Sequence, residues 1–514
     1  MILVYHQHNA VTRVLNTQND LWKIPKGKTI AQIFVLLAQE FPNETLVWCH
    51  ENLEHQLNTE QLEAFFMHNK IILSYSGTVS FLGNQIGYVE ASPFINVNSK
   101  VRYPTWLMSS AVGGINTDVL ALFLDHANAD QDLDYFLNSI AKRAMLKGFF
   151  CYSEPKLLKG NSMERFQNQA NLKVVFRFVK QHYKKRWLLL LLLNLMVFEK
   201  KFPVISFFKA LFYKSRLQSK VTFDSVPLHS KTTLSQKETI DVIIPTIGRK
   251  NYLYDVLKDL ASQTHLPTKV IIVEQNPLES SVSELNFLTN EDWPFIIKAI
   301  FTHQSGACNA RNLALQEVTS DWVFLNDDDN RFSTDLLEKV LDKAHQYGCT
   351  AVTTAYLQPH EKQTYTWIHQ SGIFGSGNSF VKSEALKNVF FDMALEFGYG
   401  EDTDFGLQLR NKGHDVIYFP DLKITHLKAP MGGFRIPVSH PWQSQEVQPK
   451  PSPTMMYVFM KYYTVQQLAS YKIVLFLKLI KKVSPLKYLY FYTEFKQKWN
   501  LSQYWARKLN NGKK

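Results

Sequence analysis

The chain reads as an α/β protein, with a mostly parallel sheet that carries the functional residues and a second α/β domain ahead of it. Three observations predict this. Short apolar runs alternate with amphipathic helical stretches in two separate regions. The 514 residues exceed what one core accommodates, so two or three domains are expected. In the second region, polar clusters follow directly on apolar runs, as at the carboxyl ends of parallel strands, where such sheets bind ligands.

Five regions follow along the chain. Residues 1–165 are an N-terminal α/β domain, in which runs at Ile2–Tyr5, Thr45–Cys49 and Ile71–Tyr75 alternate with helical stretches at 29–40 and 59–68. The run after Thr45 is Trp48-Cys49-His50-Glu51, with no acidic pair. Residues 166–220 are a basic and apolar helical segment. Residues 221–238 are a polar linker, 239–435 the second α/β domain, and 436–514 a basic, aromatic tail.

The second α/β domain opens with an apolar run, Ile240–Ile244, stopped by Pro245. A helix follows with Leu253, Val256, Leu257, Leu260 and Ala261 on one face. Val270–Val273 and Ile296–Phe301 are the next buried strands, and Ala307–Val318 is a helix. The strand Trp322–Leu325 runs into Asn326-Asp327-Asp328-Asp329. Pro245–Arg249, Glu274–Pro277 and Asp327–Asp329 thus fall at one edge of the sheet.

Several groups there have chemistry to offer. Two carboxylates one residue apart in an extended loop point the same way and hold a hard divalent cation, which bridges the phosphates of a nucleotide-sugar. A solvated acidic turn is the alternative. Glu401 and Asp402 lie in the first turn of a helix that Gly413 ends. Acids favour that position on dipole grounds alone, while the functional reading is a carboxylate that takes a proton from an acceptor hydroxyl. Gly306 leads into a helix bearing Arg311, which suits phosphate or a base; a surface arginine is the alternative. His426 could complete a metal shell or be structural. Met431–Arg435 (MGGFR) reads as a mobile loop.

These motifs resemble those of family 2 glycosyltransferases, which have the GT-A fold. The resemblance rests on IDVIIPTIGR (240–249), GACNARNLAL (306–315), FLNDDDNRF (324–332), GSGNSF (375–380) and GYGEDTDFGLQLRNKG (398–413), about two-fifths of the chain. It implies an inverting transfer from a nucleotide-sugar to a hydroxyl, in cell-surface polysaccharide or glycan assembly. By the same resemblance, Thr246 and Arg249 lie in the first nucleotide-binding loop, and Arg311 faces the nucleotide. Asp327 and Asp329 match the D-x-D pair, so that Mn2+ or Mg2+ is the implied cofactor. Asp327 and Asp328 also border the donor, Asn378 lies near the sugar, Asp402 matches the base and Glu401 its neighbour. Where the family has two Asp after the second strand, Glu274 and Gln275 stand here; Glu274 can still accept from a base, and UDP, GDP and dTDP all stay open. A non-catalytic scaffold of the same fold would have lost these carboxylates. A sugar nucleotidyltransferase would show a loop richer in glycine than PTIGRK.

Charge adds a second theme. The net charge is +12, yet residues 170–220 hold twelve Lys/Arg against Glu199, and residues 455–514 hold twelve against Glu494. The rest of the chain is acidic. Both basic segments are rich in Leu, Phe, Tyr and Ile, which favours an anionic membrane surface over nucleic acid. Trp187–Phe198 (WLLLLLLNLMVF) is shorter than a span and reads as an interfacial helix that Phe202–Phe212 continues, with a core helix as the alternative. No signal peptide is read at the start. Cys49, Cys151, Cys308 and Cys349 form no CxxC pair, which excludes a thiolate zinc site and suits a reducing compartment. The expectation is a cytoplasmic protein, peripheral at the cytoplasmic face of the membrane. Its partners would be a nucleotide-sugar and a glycan or lipid-linked acceptor. The N-terminal domain, with its strand–helix alternation, is read as a degenerate glycosyltransferase-like copy or an unrelated partner-binding domain.

Overall fold

A computed structural model describes the chain except residues 78, 124–126, 161–167, 218–220, 222–225, 233–237, 431–439 and 512–514. Much of the 221–238 linker and the whole MGGFR segment therefore lie outside the described residues. The chain divides into two compact units. One is Met1–Thr232 with Trp367–Gln370 and Tyr463–Leu475; the other is Thr233–Thr366, Ser371–Tyr462 and Phe476–Lys514.

The first unit is built on strands β1 (Ile2–Gln7), β2 (Ala10–Leu15), β3 (Thr45–His50), β4 (Ile71–Tyr75), β5 (Tyr103–Pro104), β6 (Val112–Asn116) and β7 (Phe150–Ser153), in the order β2-β1-β3-β6-β4-β7-β5. Helix α1 (Ile30–Glu40) starts at a capping box between Thr29 and Gln32 and buries Ile30, Ile33, Phe34 and Leu37. Helix α2 (Leu133–Ala144) is capped by Asp132, whose side chain accepts from Tyr135 N. The stretch at 59–68 holds only one helical turn, Leu62–Phe65. Helices α3 (Leu172–His182), α4 (Lys185–Asn194) and α5 (Val204–Leu211) follow.

The apolar stretch at 187–198 behaves differently from the expectation. Leu188, Leu191 and Leu195 are buried in the core of this unit, so α4 is largely a core helix. It does not continue into 202–212. A π-helical turn (Leu195–Glu199), a left-handed Lys200 and Pro203 break the chain before α5 begins.

In the second unit the strands are β8 (Ile240–Thr246), β9 (Lys269–Gln275), β10 (Ile296–Thr302), β11 (Trp322–Asn326), β12 (Asn330–Phe332), β13 (Ala351–Leu357), β14 (Asn378–Lys382) and β15 (Val416–His426). They run β10-β9-β8-β11-β14-β13-β15-β12, with the first four parallel. Its helices are α6 (Lys250–Ala261), α7 (Ala307–Leu315), α8 (Leu336–Tyr347), α9 (Glu401–Asn411) and α10 (Pro453–Tyr462). Leu253, Val256, Leu257 and Leu260 are the buried face of α6. β10 is not the buried strand its apolar residues suggest. It closes the sheet at the β9 edge, and Ile296 is 63% exposed. Asp241, inside the first apolar run, is fully buried; it accepts from Thr319 N, Ser320 N and Ser320 Oγ.

The two sheets share an inner pattern. In the first unit β1 is parallel to β3, β3 antiparallel to β6, β6 antiparallel to β4, and β4 parallel to β7. In the second, β8, β11, β14, β13 and β15 repeat that sequence of senses and that chain order. Register agrees as well. The pairs Leu46↔Ile115 and Ile72↔Ile115 in one sheet match Val323↔Val381 and Ala351↔Val381 in the other. Each of these residues belongs to the core that its unit's helices cover.

Gly113 in β6 is fixed by close approach. A Cβ there would stand 2.3 Å from the Trp48 ring and 2.4 Å from Leu73 O. Gly113→Ala is expected to destabilise the protein by about 1–3 kcal/mol, the usual cost of overpacking, read as a lower urea midpoint.

Candidate active site

The sequence places each candidate at the end of a strand or the start of a helix. β8 delivers Thr246 and the loop to Arg249, β11 delivers Asp327 to Asp329, and α9 begins with Glu401 and Asp402. All of them line one cleft of about 330 Å³, together with Arg311, Asn378, Tyr356 and His426. Parallel strands open their carboxyl ends on this edge, which is why residues 246, 327 and 402 meet.

The three consecutive aspartates have three different surroundings. Asp327 accepts from Arg311 (2.9 Å) and from the Tyr356 hydroxyl (3.0 Å). Asp328 is buried; Thr246 Oγ1 donates to one of its oxygens and Arg249 to the other, each at 2.7 Å. Its two oxygens are thus spent on shaping the β8 loop rather than facing a ligand. Burial outweighs Arg249 and pushes its carboxyl up to about 6. Asp329 accepts from Ala429 N at 2.7 Å, while its buried Oδ1 has no hydrogen-bond partner. Burial alone would raise its pKa, but His426, the Ala429 amide and Arg249 together hold it below the usual range.

β12 pairs with β15 in the register Asn330↔His426, which sets the imidazole beside Asp329, Nε2 to Oδ1 at 3.5 Å. Asp329 in turn raises the pKa of His426. The ring of His426 stacks on Tyr356, with centroids 4.6 Å apart. Asp327, Asp329 and His426 offer ligand atoms within 4.8 Å of one another, the one such cluster among the described residues. An orphaned carboxylate oxygen, a second carboxylate and an imidazole suit a divalent cation of the Mn2+ or Mg2+ kind.

Glu401 and Asp402 are half-buried in the first turn of α9. Asp402 hydrogen-bonds Ser376, with Arg311 close by; burial nevertheless raises its pKa. Its Oδ1 has no partner. Glu401 is pushed up to about 7 by burial and then by Asp402. Two residues on, Asp404 takes Lys461 (2.6 Å) and the Tyr462 hydroxyl (2.8 Å) from α10, and Tyr457 donates to Asp392 at 2.7 Å. α10 therefore clamps the helix that bears Asp402.

Three expectations need correction. Glu274 does not line the cleft; its carboxylate accepts from Glu284 N, and the next residue, Gln275, lines the cleft instead. Strand alternation is the reason: Gln275 is buried and accepts from Gly306 N at 2.6 Å. The N-terminus of α7 is not open to phosphate, because the carboxylate of Glu396 accepts from Cys308 N and Asn309 N. Gly306, at φ 140°, makes room for that carboxylate, since a Cβ would lie 2.3 Å from it. Asn378 lines the cleft, but its amide donates to Thr354 O at 3.0 Å and so braces the sheet. Sequence reasoning missed Tyr356, Ser376, Glu396 and Lys461. Tyr356, Glu396 and Lys461 lie outside the quoted motifs, while Ser376 lies within GSGNSF; all four join the site through tertiary contact.

The first unit carries a counterpart of this edge. By the matched register His50, Glu51 and Asn52 stand where Asp327, Asp328 and Asp329 stand. Ser110, two residues before β6, donates its N–H (2.6 Å) and hydroxyl (2.8 Å) to the fully buried Asp134. Ser376, two residues before β14, holds Asp402 through the same two groups. Asn168 also donates to Asp134, and Asn9 in the β1–β2 turn accepts from Leu133 N at 2.8 Å, closing over the start of α2.

Residues 241–397 match the model described as glycosyl transferase family 2. An uncharacterised glycosyltransferase of Rickettsia conorii is 29% identical over 141 residues, 27% of this chain and 23% of that one. The succinoglycan biosynthesis protein ExoM of Rhizobium meliloti is 27% identical over 202 residues, 35% of this chain and 64% of that one. The matched segment thus spans under two thirds of either relative. Among solved structures, S. aureus TarS in complex with UDP-GlcNAc is 15% identical with a TM-score of 0.36, covering 46% of this chain and 70% of that one.

Tyr356→Phe removes a hydrogen bond to Asp327 and keeps the ring stack on His426. It should weaken Mn2+ affinity by about 10–100-fold, measured by isothermal titration calorimetry.

Proposed function

We propose that this protein, whose residues 241–397 match the glycosyl transferase family 2 model, transfers a sugar from a nucleotide-sugar to an acceptor hydroxyl, inverting the anomeric carbon. Cell-surface polysaccharide or glycan assembly is the proposed setting, a glycan or lipid-linked glycan the acceptor, and the cytoplasmic face of a membrane the place of work. One observation carries the reading: Asp402 lines the same cleft as Asp327 and Asp329. A scaffold that had lost catalysis has no need to keep all three together.

Asp402 is the base in this mechanism. Its unpartnered Oδ1 takes the acceptor proton as the acceptor oxygen bonds to the anomeric carbon and the bond to the diphosphate breaks. Attack from the face opposite the leaving group inverts the configuration, and no covalent enzyme intermediate forms. Glu401 stands beside the base to hold the acceptor. Asp329, Asp327 and His426 would hold a divalent cation, which would supply positive charge for the departing diphosphate. Arg311, set by Asp327, and Arg249, set by Asp328, face the donor from the two sides of the aspartate run. Thr246 fixes the loop between them. The first unit, which repeats the sheet but lacks the aspartate pair, is a non-catalytic copy.

Asp402→Asn should lower kcat at least about 100-fold, the share a positioned base provides, and leave nucleotide binding by calorimetry intact. The Asp402 carboxyl works only when deprotonated and its pKa is raised, so kcat/KM is expected to fall as pH drops through a value above the ordinary 3.8. Asp134→Asn should leave transfer at the wild-type rate, and the chain should bind a single equivalent of nucleotide with Mn2+; two equivalents would contradict the non-catalytic copy.

A further inference from the structure

Helix α5 presents an unusual surface. Val204, Ile205, Phe208, Leu211 and Phe212 recur at the spacing that gathers them on one side of a helix. That side faces outward: Ile205 is 72% exposed, Phe208 57% and Phe212 90%. The other side holds the helix to its unit, through the fully buried Ala210 and through Phe207, whose ring meets Phe176 edge-on. The usual arrangement of a surface helix is therefore reversed, with apolar residues on the solvent side as well. Just ahead of α5, Phe198 and Phe202 are exposed too.

Cations flank this patch along the chain. Lys184, Lys185, Arg186, Lys200, Lys209 and Lys214 are all exposed, and none pairs with a carboxylate among the described residues. The lone acid nearby, Glu199, is taken by Lys201 at 2.8 Å.

We propose that the outward face of α5 is a bilayer-docking face, seating Ile205, Phe208 and Phe212 among the acyl chains of an anionic membrane while the flanking lysines meet lipid phosphates. It rests on the reading of the protein as peripheral at a membrane, and it assigns that role to one element of the first unit. Charge decides between occupants. A second copy of this chain would bring the same six cations against these, a repulsive arrangement, whereas an anionic leaflet complements them. The depth is interfacial: no helix among the described residues is long and apolar enough to cross a membrane.

The test uses the full chain and flotation with phosphatidylcholine vesicles, with and without phosphatidylglycerol. Wild type is expected to float with the anionic vesicles and lose them in high salt. The variant Ile205→Ser/Phe208→Ser/Phe212→Ser changes only exposed side chains, so its melting curve and its Mn2+–nucleotide binding should match wild type. Its partition onto anionic vesicles should fall by about 10-fold or more. Lys200→Glu/Lys209→Glu/Lys214→Glu should abolish the preference for anionic lipid. Equal flotation of the serine variant and wild type overturns the assignment to α5 while leaving a peripheral protein. Failure of wild type to float with any vesicle overturns both, as does a dimer in light scattering that the serine variant dissolves without any vesicle binding. None of these outcomes bears on transfer to a soluble acceptor, which tests catalysis separately.

Discussion

The crowding of carboxylates in one cleft is the constraint on which the rest of the second unit depends. Asp327, Asp328, Asp329, Glu401 and Asp402 line a single cavity, and their mutual repulsion has to be offset before the unit can fold. Two guanidiniums do most of this. Arg249 bridges Asp328 and Asp329, at 2.7 and 3.4 Å, and Arg311 holds Asp327. The offset is incomplete: Asp402 Oδ1 has no hydrogen-bond partner, and Asp329 Oδ1 has none either, with only the His426 ion pair at 3.5 Å. Those two atoms mark where charge from outside the chain, a cation and a proton, would be received. Strain of this kind is tolerated where a site needs it and is avoided elsewhere.

The surrounding fold serves to hold that cluster still. Asn330 reaches Asn326 and the Gly377 carbonyl, fixing the turn that presents the aspartates. Gly377 has no side chain because a Cβ there would fall 2.1 Å from the Asp327 carboxylate. The helix that bears Asp402 is pinned by α10, a segment that lies beyond the 397 end of the family match. Asp402 is thus positioned in part by residues outside the matched segment.

The first unit repeats the inner sheet with a different set of side chains at the same edge. It keeps the strand order, the register and a buried aspartate on a paired serine. In place of the aspartate run it has His50, Glu51 and Asn52, and burial pushes the Asp134 carboxyl up to about 6 against the donors of Ser110 and Asn168. Its distinctive surface lies instead on α5, where apolar side chains stay exposed.

Local pattern carried much of this into the sequence. The strands at Ile71–Tyr75 and Trp322–Asn326, the helix at 250–261 and the aspartates at strand ends follow from period, capping and the residue types that hold cations, all of which act over a few neighbouring residues. What stayed hidden depends on which elements become neighbours. β10 looks like a buried strand because its residues are apolar, yet only sheet order makes it an edge. Glu274 and Gln275 differ by one step of strand alternation, and contact with Gly306 decides which of them faces the cleft. The break at Lys200 and Pro203, and the core packing of Leu188 and Leu191, determine that α5 rather than α4 shows its apolar side to water. Tyr356, Ser376, Glu396 and Lys461 enter the site from separate elements. The match between the two sheets lives in hydrogen-bond register, which the order of amino acids does not display. Short-range preferences are written residue by residue; the choice of partners is made by the burial of surfaces brought together from far apart in the chain.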